Sequence, residues 1–347
     1  MTTDVSKVMQ QTTLTIATPE FMAAHPELHH YTNLDGLRGI YESNTLRATH
    51  YLDLNDATEV RLLRQPLADA LNARFTEIVR ERQRDSFRIR RAVQDTGGLQ
   101  KVARSLADDL VASMYRVTFD PASDWACEPF IASFCTHAAA TAAYERDNGL
   151  LSQWRGYGGS GGYCIVLDTA ALSAMLGAEF DAYYYVHMNI APVNYAVQGA
   201  TVDQLFPDLM ARCEQFVSHL IDNPGQPPAG DDGIVPFVVG ATLYKHQGFR
   251  EECEVRIAAM PGTDKMLKQV QAEHPEIGVP LVKLNESAER RGRKRRYISL
   301  LDKTKQRLPI KRIIVGPSIN QSENIKRAKQ LVGSDVTVAA SVTPFID

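Results

Sequence analysis

The stretch LLSQWRGYGGSGGYCIVLD, residues 150–168, joins an aromatic, glycine-rich loop directly to an apolar run. Five of the seven residues from Gly156 to Gly162 are glycine, which allows positive φ angles and close approach of the backbone to a ligand. The apolar residues that follow predict a buried strand at 162–168. The loop is therefore a candidate ligand-binding element, and a structural glycine-rich hairpin plugged by an aromatic ring is the alternative.

Around this stretch, short strands are mixed irregularly with helices. The pattern predicts strands at 29–32, 129–135, 183–186, 190–193, 252–260, 296–301, 310–315 and 336–341, with extended chain at 46–52. It predicts helices at 34–43, 203–222, 233–247 and 322–332, and a surface loop at 224–232. Because no regular β-α-β alternation is present, the expected fold class is α+β.

Residues 57–120 have a different texture from the rest of the chain. Apolar residues recur there at helical spacing, as in Leu63, Leu67 and Leu71, and a second amphipathic run starts at Leu99. We therefore predict a helical insertion at 57–120 within a single α+β domain at 28–345, preceded by an N-terminal tail at 1–27.

Composition limits the classes of function. The 347 residues carry a net charge of −3, which gives no global attraction to nucleic acid or anionic lipid. No apolar run approaches the roughly 20 residues needed to cross a bilayer, and the first residues lack a signal-peptide pattern. We expect a cytoplasmic protein without membrane contact.

The cysteines and the basic segments each allow two interpretations. Five cysteines without a C-x-x-C pair argue against a disulfide scaffold, and we expect no metal site. Cys253 is a nucleophile or, as strand alternation favours, a buried residue. The seven arginines of residues 74–91 favour a solvated helix face with ion pairs over a nucleic-acid contact. The run Arg290–Arg296 either attracts phosphate or forms a solvated loop.

Three polar patches contain the residue types that nucleotide chemistry needs. The first is His29-His30-Tyr31-Thr32, where we expect the strand end at His30 to face a cleft. In the second, Trp154 and Tyr157 can stack on a planar ring while Arg155 meets a phosphate.

The third patch is Glu251-Glu252-Cys253-Glu254-Val255-Arg256, in which a period of two places Glu252, Glu254 and Arg256 on one strand face. Paired carboxylates there can stabilise a cationic transition state or hold a ribose hydroxyl. The alternative is a charged edge strand on which Arg256 neutralises the acids. Asn55, Asp56 and Glu59 are either a helix cap or further cleft residues.

These elements, with Ser133-Phe134 and Ile314–Pro317, resemble in their order a widespread bacterial domain family of unknown function, over residues 28–345. The family label implies no activity. The opening His-Tyr-Thr strand also distantly resembles ADP-ribosyltransferase domains, including DNA-targeting bacterial toxins. That resemblance implies a split, mixed or antiparallel sheet and NAD as co-substrate.

The resemblance to the transferases also implies roles for individual residues. His30 would hold a ribose hydroxyl, aided by Tyr31 and Thr32, and Trp154 or Tyr157 would pack on nicotinamide, with Tyr163 as an alternative to Tyr157. Glu254, or Glu252, would stabilise the ribosyl oxocarbenium ion, while Arg155 and Arg256 would serve the bound dinucleotide.

The function expected from this resemblance is ADP-ribosyl transfer to nucleic acid or protein, by a toxin or a phage-defence effector with a neutralising partner protein. Two alternatives remain open at this point. One is a non-catalytic module of a defence system that binds a nucleotide or nucleic acid. The other is a glycohydrolase that acts on NAD or a nucleoside.

Overall fold

The computed structural model of the protein describes residues 16–54, 59–120, 122–123, 126, 128–137, 142–158, 161–196, 201–226, 233–273, 275, 280–290 and 292–344. These residues form 12 strands and 13 helices. Asn55, Asp56 and Cys127 lie outside the described residues, as does the side chain of Glu59.

The strands are numbered in chain order. They are β1 Glu27–Thr32, β2 Leu46–His50, β3 Phe130–Cys135, β4 Tyr163–Asp168, β5 Tyr185–Pro192, β6 Asn194–Ala196, β7 Tyr244–His246, β8 Glu254–Pro261, β9 Glu286–Arg290, β10 Arg293–Leu300, β11 Ile310–Val315 and β12 Thr337–Ala340.

The helices are numbered in the same way. They are α1 Pro19–Ala24, α2 Leu34–Ser43, α3 Arg64–Asp85, α4 Phe87–Thr96, α5 Leu99–Phe119, α6 Ala143–Asn148, α7 Leu151–Gln153, α8 Thr169–Ala182, α9 Val202–Leu205, α10 Pro207–Asp222, α11 Ile234–Leu243, α12 Asp264–Glu273 and α13 Gln321–Val332. Short 3₁₀ turns occupy Tyr51–Asp53, Glu59–Arg61 and Gln247–Glu252, and a π-helical turn occupies Trp154–Gly158.

Ten strands form one large sheet in which β3 holds the central position. One edge of β3 pairs antiparallel with β8 over all six residues, and β8 in turn pairs with β5. The other edge is divided, because β1 pairs with it at Cys135 while β2 pairs with it at Phe130 and Ile131. Beyond this point the sheet continues as two arms.

The first arm runs β1-β4-β11-β12 and the second runs β2-β10-β9. All of these pairs are antiparallel except β11–β12, so the sheet is mixed. The predicted α+β class with a mixed sheet is confirmed. That the sheet is of ADP-ribosyltransferase type stays a prediction.

The two faces of the sheet are covered by different helices. On one face, apolar side chains of the strands pack with α2, α8 and α13 in the main core, as Val255 and Ile257 of β8 do. The helical insertion packs on α10, α11 and the end of β8 in a second core that contains Met260.

Within the insertion, helix α3 packs lengthwise on helix α5. The buried residues of α5 in this contact, Ala103, Ala107 and Val111, are small and recur every four residues, so the two backbones approach closely. Arginines of α3 pair with acids of the neighbouring helices, as Arg82 does with Asp222 at 2.8 Å and Arg74 with Asp203 at 3.4 Å. The basic segment is therefore largely a structural helix face.

Several expected boundaries differ from the structure. The helix expected at 203–222 is interrupted at Phe206, because Pro207 starts a new helix. The helix expected at 233–247 ends at Leu243, and the next residues form β7. Residues 16–24, expected to belong to a tail, instead place Ile16, Ala17 and Phe21 in the main core. Across the described part of the chain, every helix is too short or too polar to cross a membrane.

Gly149 is one of the glycines that the packing of Trp154 before β4 requires. Gly149 has φ 76° and ψ 166°, and a Cβ there would lie 2.5 Å from the Trp154 ring. We expect Gly149→Ala to lower the free energy of unfolding by at least about 2 kcal/mol, from backbone strain and overpacking. In the control Gly39→Ala, on an exposed face of α2, the new Cβ meets nothing within 4 Å. We expect that change to be neutral or to stabilise by up to about 1 kcal/mol in urea unfolding; equal effects of the two substitutions would contradict this account.

Candidate functional site

Strand register determines which predicted site residues meet. His29 pairs with Cys135, and Cys135 pairs with Glu254 on the other side of β3. Cross-strand partners project to the same face of a sheet, and successive residues project to opposite faces. His30 and Glu254 therefore lie on opposite faces, so the structure does not bring these two predicted catalytic residues into one cleft.

On the face of the main core, His30 contacts strand β3. Its ring centroid lies 5.5 Å from that of Phe134, and its Nδ1 lies 3.1 Å from the Ser133 carbonyl oxygen. Since a carbonyl only accepts, Nδ1 carries the proton and donates this bond. Thr32 is buried under the first turn of α2, where its hydroxyl occupies the space of a Cβ on Gly36.

On the opposite face, Tyr31 and Trp154 pack edge to face with ring centroids 4.8 Å apart. The Tyr31 hydroxyl accepts from the Leu150 amide at 2.8 Å, and Trp154 Nε1 donates to the Asn148 carbonyl at 3.0 Å. Trp154 is only 2% exposed, and burial raises the pKa of Tyr31. Trp154 therefore plugs the loop against the sheet and presents no open ring face.

Among the described residues of the loop, the exposed positions lie in the π-helical turn Trp154–Gly158. Arg155 and Tyr157 both lie at the surface there, and Tyr157 is 45% exposed. Tyr163 is fully buried, and its hydroxyl donates to the Asn324 carbonyl at 3.2 Å. Of the two tyrosines that the sequence left open, only Tyr157 is accessible to a ligand.

Glu254 lies in a buried network of charges. Its Oε1 accepts from Arg256 Nε at 2.8 Å, and its Oε2 accepts from Arg256 Nη2 at 3.0 Å and from Lys245 Nζ at 2.6 Å. Arg256, 2% exposed, also donates to the Thr242 carbonyl at 2.6 Å. The small parallel sheet of β6 and β7 pairs Tyr195 with Lys245, and the Tyr195 hydroxyl accepts from the Glu254 amide at 2.8 Å.

Glu252 joins this network by a different route from the one expected. It ends a 3₁₀ turn and does not belong to β8, and Lys245 Nζ reaches its carboxylate at 2.6 Å. Cys253 stands between the turn and the strand with φ 44°, and it is exposed. The expectation that Cys253 is buried is wrong, because strand alternation begins only at Glu254.

The charges around Glu254 keep it ionised. Burial by itself would raise the pKa of this carboxyl, but the adjacent Arg256 and Lys245 lower the pKa to about 2. Glu254 is 6% exposed, and both of its oxygens are occupied by cationic donors. These contacts make it a structural ion pair, and its predicted catalytic role stays a prediction that the contacts do not support.

A different group of residues surrounds an open cavity of about 430 Å³ beside the helical insertion. Its lining residues are Tyr51, Val60, Arg61, Arg64, Ala112, Tyr115, Arg116, Phe119 and Asp120. We call this site the arginine–aromatic cavity. None of these residues was a candidate on sequence grounds.

Local structure brings the lining residues of the cavity together. Tyr51 begins the turn that leaves β2, Arg61 ends the 3₁₀ turn before α3, and Arg64 opens α3. The remaining large side chains come from the last turns of α5, where Tyr115, Arg116 and Phe119 recur at spacings of three and four. That spacing of aromatic and basic residues on one helix face was the available sequence signal.

The aromatic wall of the cavity is held firmly in place. Tyr115 donates to the Val60 carbonyl at 2.9 Å and packs edge to face on Phe237, with ring centroids 4.9 Å apart. Phe119 lies 5.3 Å from Tyr51, again between centroids. Side chains fixed in this way can bind a planar ring without much further loss of rotamer entropy.

The cavity carries an excess of positive charge. Arg61, Arg64 and Arg116 are all exposed, and within the described residues none of them forms an ion pair. Arg64 lies over the Tyr115 ring at 5.7 Å, a cation–π contact that leaves its guanidinium N–H groups available. Asp120 is the one acid among the described lining residues. The site is therefore suited to an anion that carries an aromatic group.

Comparison with known proteins gives a match for one segment of the chain. Residues 153–257 match the family described as Protein of unknown function (DUF2971). The prediction of a domain family of unknown function is thereby confirmed for this segment. The match spans the loop, β4, β5 and the Glu254 network, and it leaves out His30 and the helical insertion. Searches of curated proteins and of solved structures return no match.

Loss of the Glu254 charge tests the structural role of the network. We expect Glu254→Gln to lower the free energy of unfolding by about 3–5 kcal/mol, because Arg256 and Lys245 would remain buried with an uncompensated charge. The control Glu251→Gln removes an exposed acid three residues away and should change stability by less than about 0.5 kcal/mol. Urea unfolding measures both, and a Glu254→Gln protein as stable as its control would refute the role.

Acid should weaken the fold through two carboxyls. Burial would raise the pKa of Glu27 too, but Arg312 and Lys311 lower it to about 2, like that of Glu254. Because both folded-state values lie below the ordinary 4.5, their stabilisation is complete above about pH 4.5 and is lost as the pH falls to about 2.

The matching experiment compares the wild type with the Glu27→Gln/Glu254→Gln variant. The difference between their unfolding free energies, measured in urea from pH 7 to pH 2, should shrink only below about pH 4.5. A difference that is constant across this range would show that neither carboxyl has a lowered pKa.

Proposed function

We propose that the protein binds a nucleotide in the arginine–aromatic cavity. The observation that carries this proposal is that three arginines and three aromatic rings line a single open cavity of about 430 Å³. Small-molecule sites of roughly 300–1,000 Å³ with apolar walls and a few convergent polar groups are typical of ligand binding.

Each half of a nucleotide has a complementary group in the cavity. Guanidinium groups bind phosphate oxygens through paired N–H donors, and Arg61, Arg64 and Arg116 supply three of them. Tyr115 and Phe119 are partly exposed and offer ring surface to a base, and Tyr51, 6% exposed, packs behind Phe119. The same set fits a free phosphate or an apolar ligand less well, because only a nucleotide uses both halves.

The cavity supports binding more directly than catalysis. Its one described acid, Asp120, accepts from the Ala122 amide at 3.0 Å, as a turn-forming residue does. The proposal thus corresponds to a nucleotide-binding module. Action as a toxin, a role in phage defence, a neutralising partner and a cytoplasmic location stay predictions.

ADP-ribosyl transfer is the second candidate function, and NAD belongs to the ligand class that the cavity would accept. In its favour, Tyr31, Trp154, Glu254 and Arg256 share one face of the sheet, near the exposed Arg155 and Tyr157. The geometry favours it less than binding alone, because His30 lies on the other face and the oxygens of Glu254 are occupied.

Incubation of the purified protein with NAD separates transfer, hydrolysis and binding. Nicotinamide release with a modified acceptor would indicate transfer, and release of free ADP-ribose would indicate a glycohydrolase. NAD binding without nicotinamide release would indicate a non-catalytic binding module. Loss of turnover with intact NAD binding in Glu254→Gln, if that variant folds, would assign a catalytic role to the carboxylate.

The phosphate half of the cavity is tested by removing its charges. We expect Arg61→Gln/Arg64→Gln/Arg116→Gln to weaken ATP binding at least about 100-fold, since each hydrogen bond to a charged group contributes roughly 1.5–3 kcal/mol. Isothermal titration calorimetry with ATP and NAD measures the dissociation constants. All three arginines are exposed, so the variant should keep the fold.

The control Arg38→Gln/Arg91→Gln/Arg327→Gln removes the same charge from exposed helix faces where each arginine pairs with an acid four residues away. It should bind ATP as the wild type does. Phe119→Leu should weaken ATP binding more than inorganic pyrophosphate binding, because only ATP carries a base. Equal loss in the cavity variant and the control, or no binding to the wild type, would refute the proposal.

A further inference from the structure

One face of the second arm of the sheet is basic and partly exposed. In the pairing of β2 with β10, Arg47 stands opposite Ser299 and Thr49 opposite Tyr297. Alternation therefore places Arg47, Tyr297, Arg295 and Arg293 on one face. The other face of these strands carries Leu46, Ala48, Ile298 and Leu300, which are buried in the main core. We call the first face the basic platform.

The platform contains one guanidinium group packed on an aromatic ring and two further arginines spaced along a strand. The Arg47 guanidinium lies 4.4 Å from the centroid of the Tyr297 ring, so one side of its plane is packed while the residue itself is exposed. Guanidinium planes held in this way are surfaces on which unstacked nucleobases pack. Arg293 and Arg295 are two residues apart on β10, a separation of about 6.6 Å along the strand.

The described side chains of the platform include one acid, Glu286, whose carboxylate already accepts two hydrogen bonds. Glu286 of β9 pairs with Tyr297, and its carboxylate accepts from the Tyr297 hydroxyl at 3.1 Å and from the Ser299 hydroxyl at 2.6 Å. Glu289 pairs with Lys294 and so belongs to the opposite face. The described side chains of the platform thus include three arginines, Arg47, Arg293 and Arg295, and one hydrogen-bonded carboxylate, that of Glu286.

The platform and the arginine–aromatic cavity adjoin each other through β2. Arg47 precedes Tyr51 by four residues of nearly extended chain, about 13 Å. A ligand that places one nucleotide in the cavity would meet the platform within a few further nucleotides if it continued as a strand. A mononucleotide would have no use for the platform.

We propose that the basic platform binds the phosphate backbone of a single-stranded nucleic acid, one nucleotide of which occupies the arginine–aromatic cavity. This rests on the proposed nucleotide binding and adds the class of ligand. A single strand is the form that fits, because the cavity accepts an unstacked base and the sheet face offers backbone contacts.

Fluorescence anisotropy with labelled oligouridylates tests the proposal, with lengths from one to about 16 nucleotides, the upper end of typical single-strand site sizes. We expect the affinity to rise at least tenfold with length. The platform variant Arg47→Gln/Arg293→Gln/Arg295→Gln should lose at least tenfold affinity for the long strands while its affinity for ATP stays unchanged. The plot of the logarithm of its affinity against the logarithm of the salt concentration should be less steep by about 2. Each of the three lost phosphate contacts on a single strand contributes about 0.7 to that slope.

The matched control Lys326→Gln/Arg327→Gln/Lys329→Gln removes three exposed charges from α13 and should behave as the wild type does. If ATP binds in the cavity but longer strands gain nothing, or if platform and control variants lose affinity equally, this inference fails and nucleotide binding stands. If duplex RNA binds more tightly than the single strand, the single-strand assignment is overturned. If neither ATP nor any oligonucleotide binds, the proposed function fails as well.

Discussion

The divided edge of strand β3 is the constraint on which the architecture depends. Six residues, Phe130–Cys135, pair along one edge with β8, and the opposite edge is shared between β1 and β2. Because β1 and β2 pair with different parts of the same edge of β3, each of them leads into a separate arm of the sheet. The first arm is buried under helices and the loop plugged by Trp154, whereas the second leaves the basic platform exposed and leads through Tyr51 into the arginine–aromatic cavity.

The buried charges around Glu254 stabilise this arrangement at β8, which pairs with the other edge of β3. Lys245 and Arg256 bind the same carboxylate from two different strands, which fixes the start of β8 against β7 and hence against the end of β3. A buried carboxylate with both oxygens occupied, as in Glu254, favours one geometry over others. All the charged residues of the network lie within the matched segment 153–257, so the network is a structural feature of that segment.

The sequence predicted the features that depend on local pattern. The α+β class, the strand after the glycine-rich loop and the helical texture of residues 64–119 follow from apolar periodicity and composition. It could not predict the faces on which remote residues project, because these depend on register: a single step along β1 separates His29, on the face of Glu254, from His30, on the other. Cys253 was misplaced because its left-handed backbone ends the turn before the strand begins. The sequence did not indicate the cavity, because Tyr51, Arg61 and Tyr115 belong to three separate elements and none of them forms a recognisable motif by itself.

A crystal structure of the protein soaked or co-crystallised with ATP tests the central claim most directly. Phosphate oxygens should lie within hydrogen-bonding distance of Arg61, Arg64 and Arg116, with the adenine ring against Tyr115 and Phe119. Density for the nucleotide beside Arg155 and Tyr157, with the arginine–aromatic cavity unoccupied, would contradict it and would favour the site that the sequence first indicated.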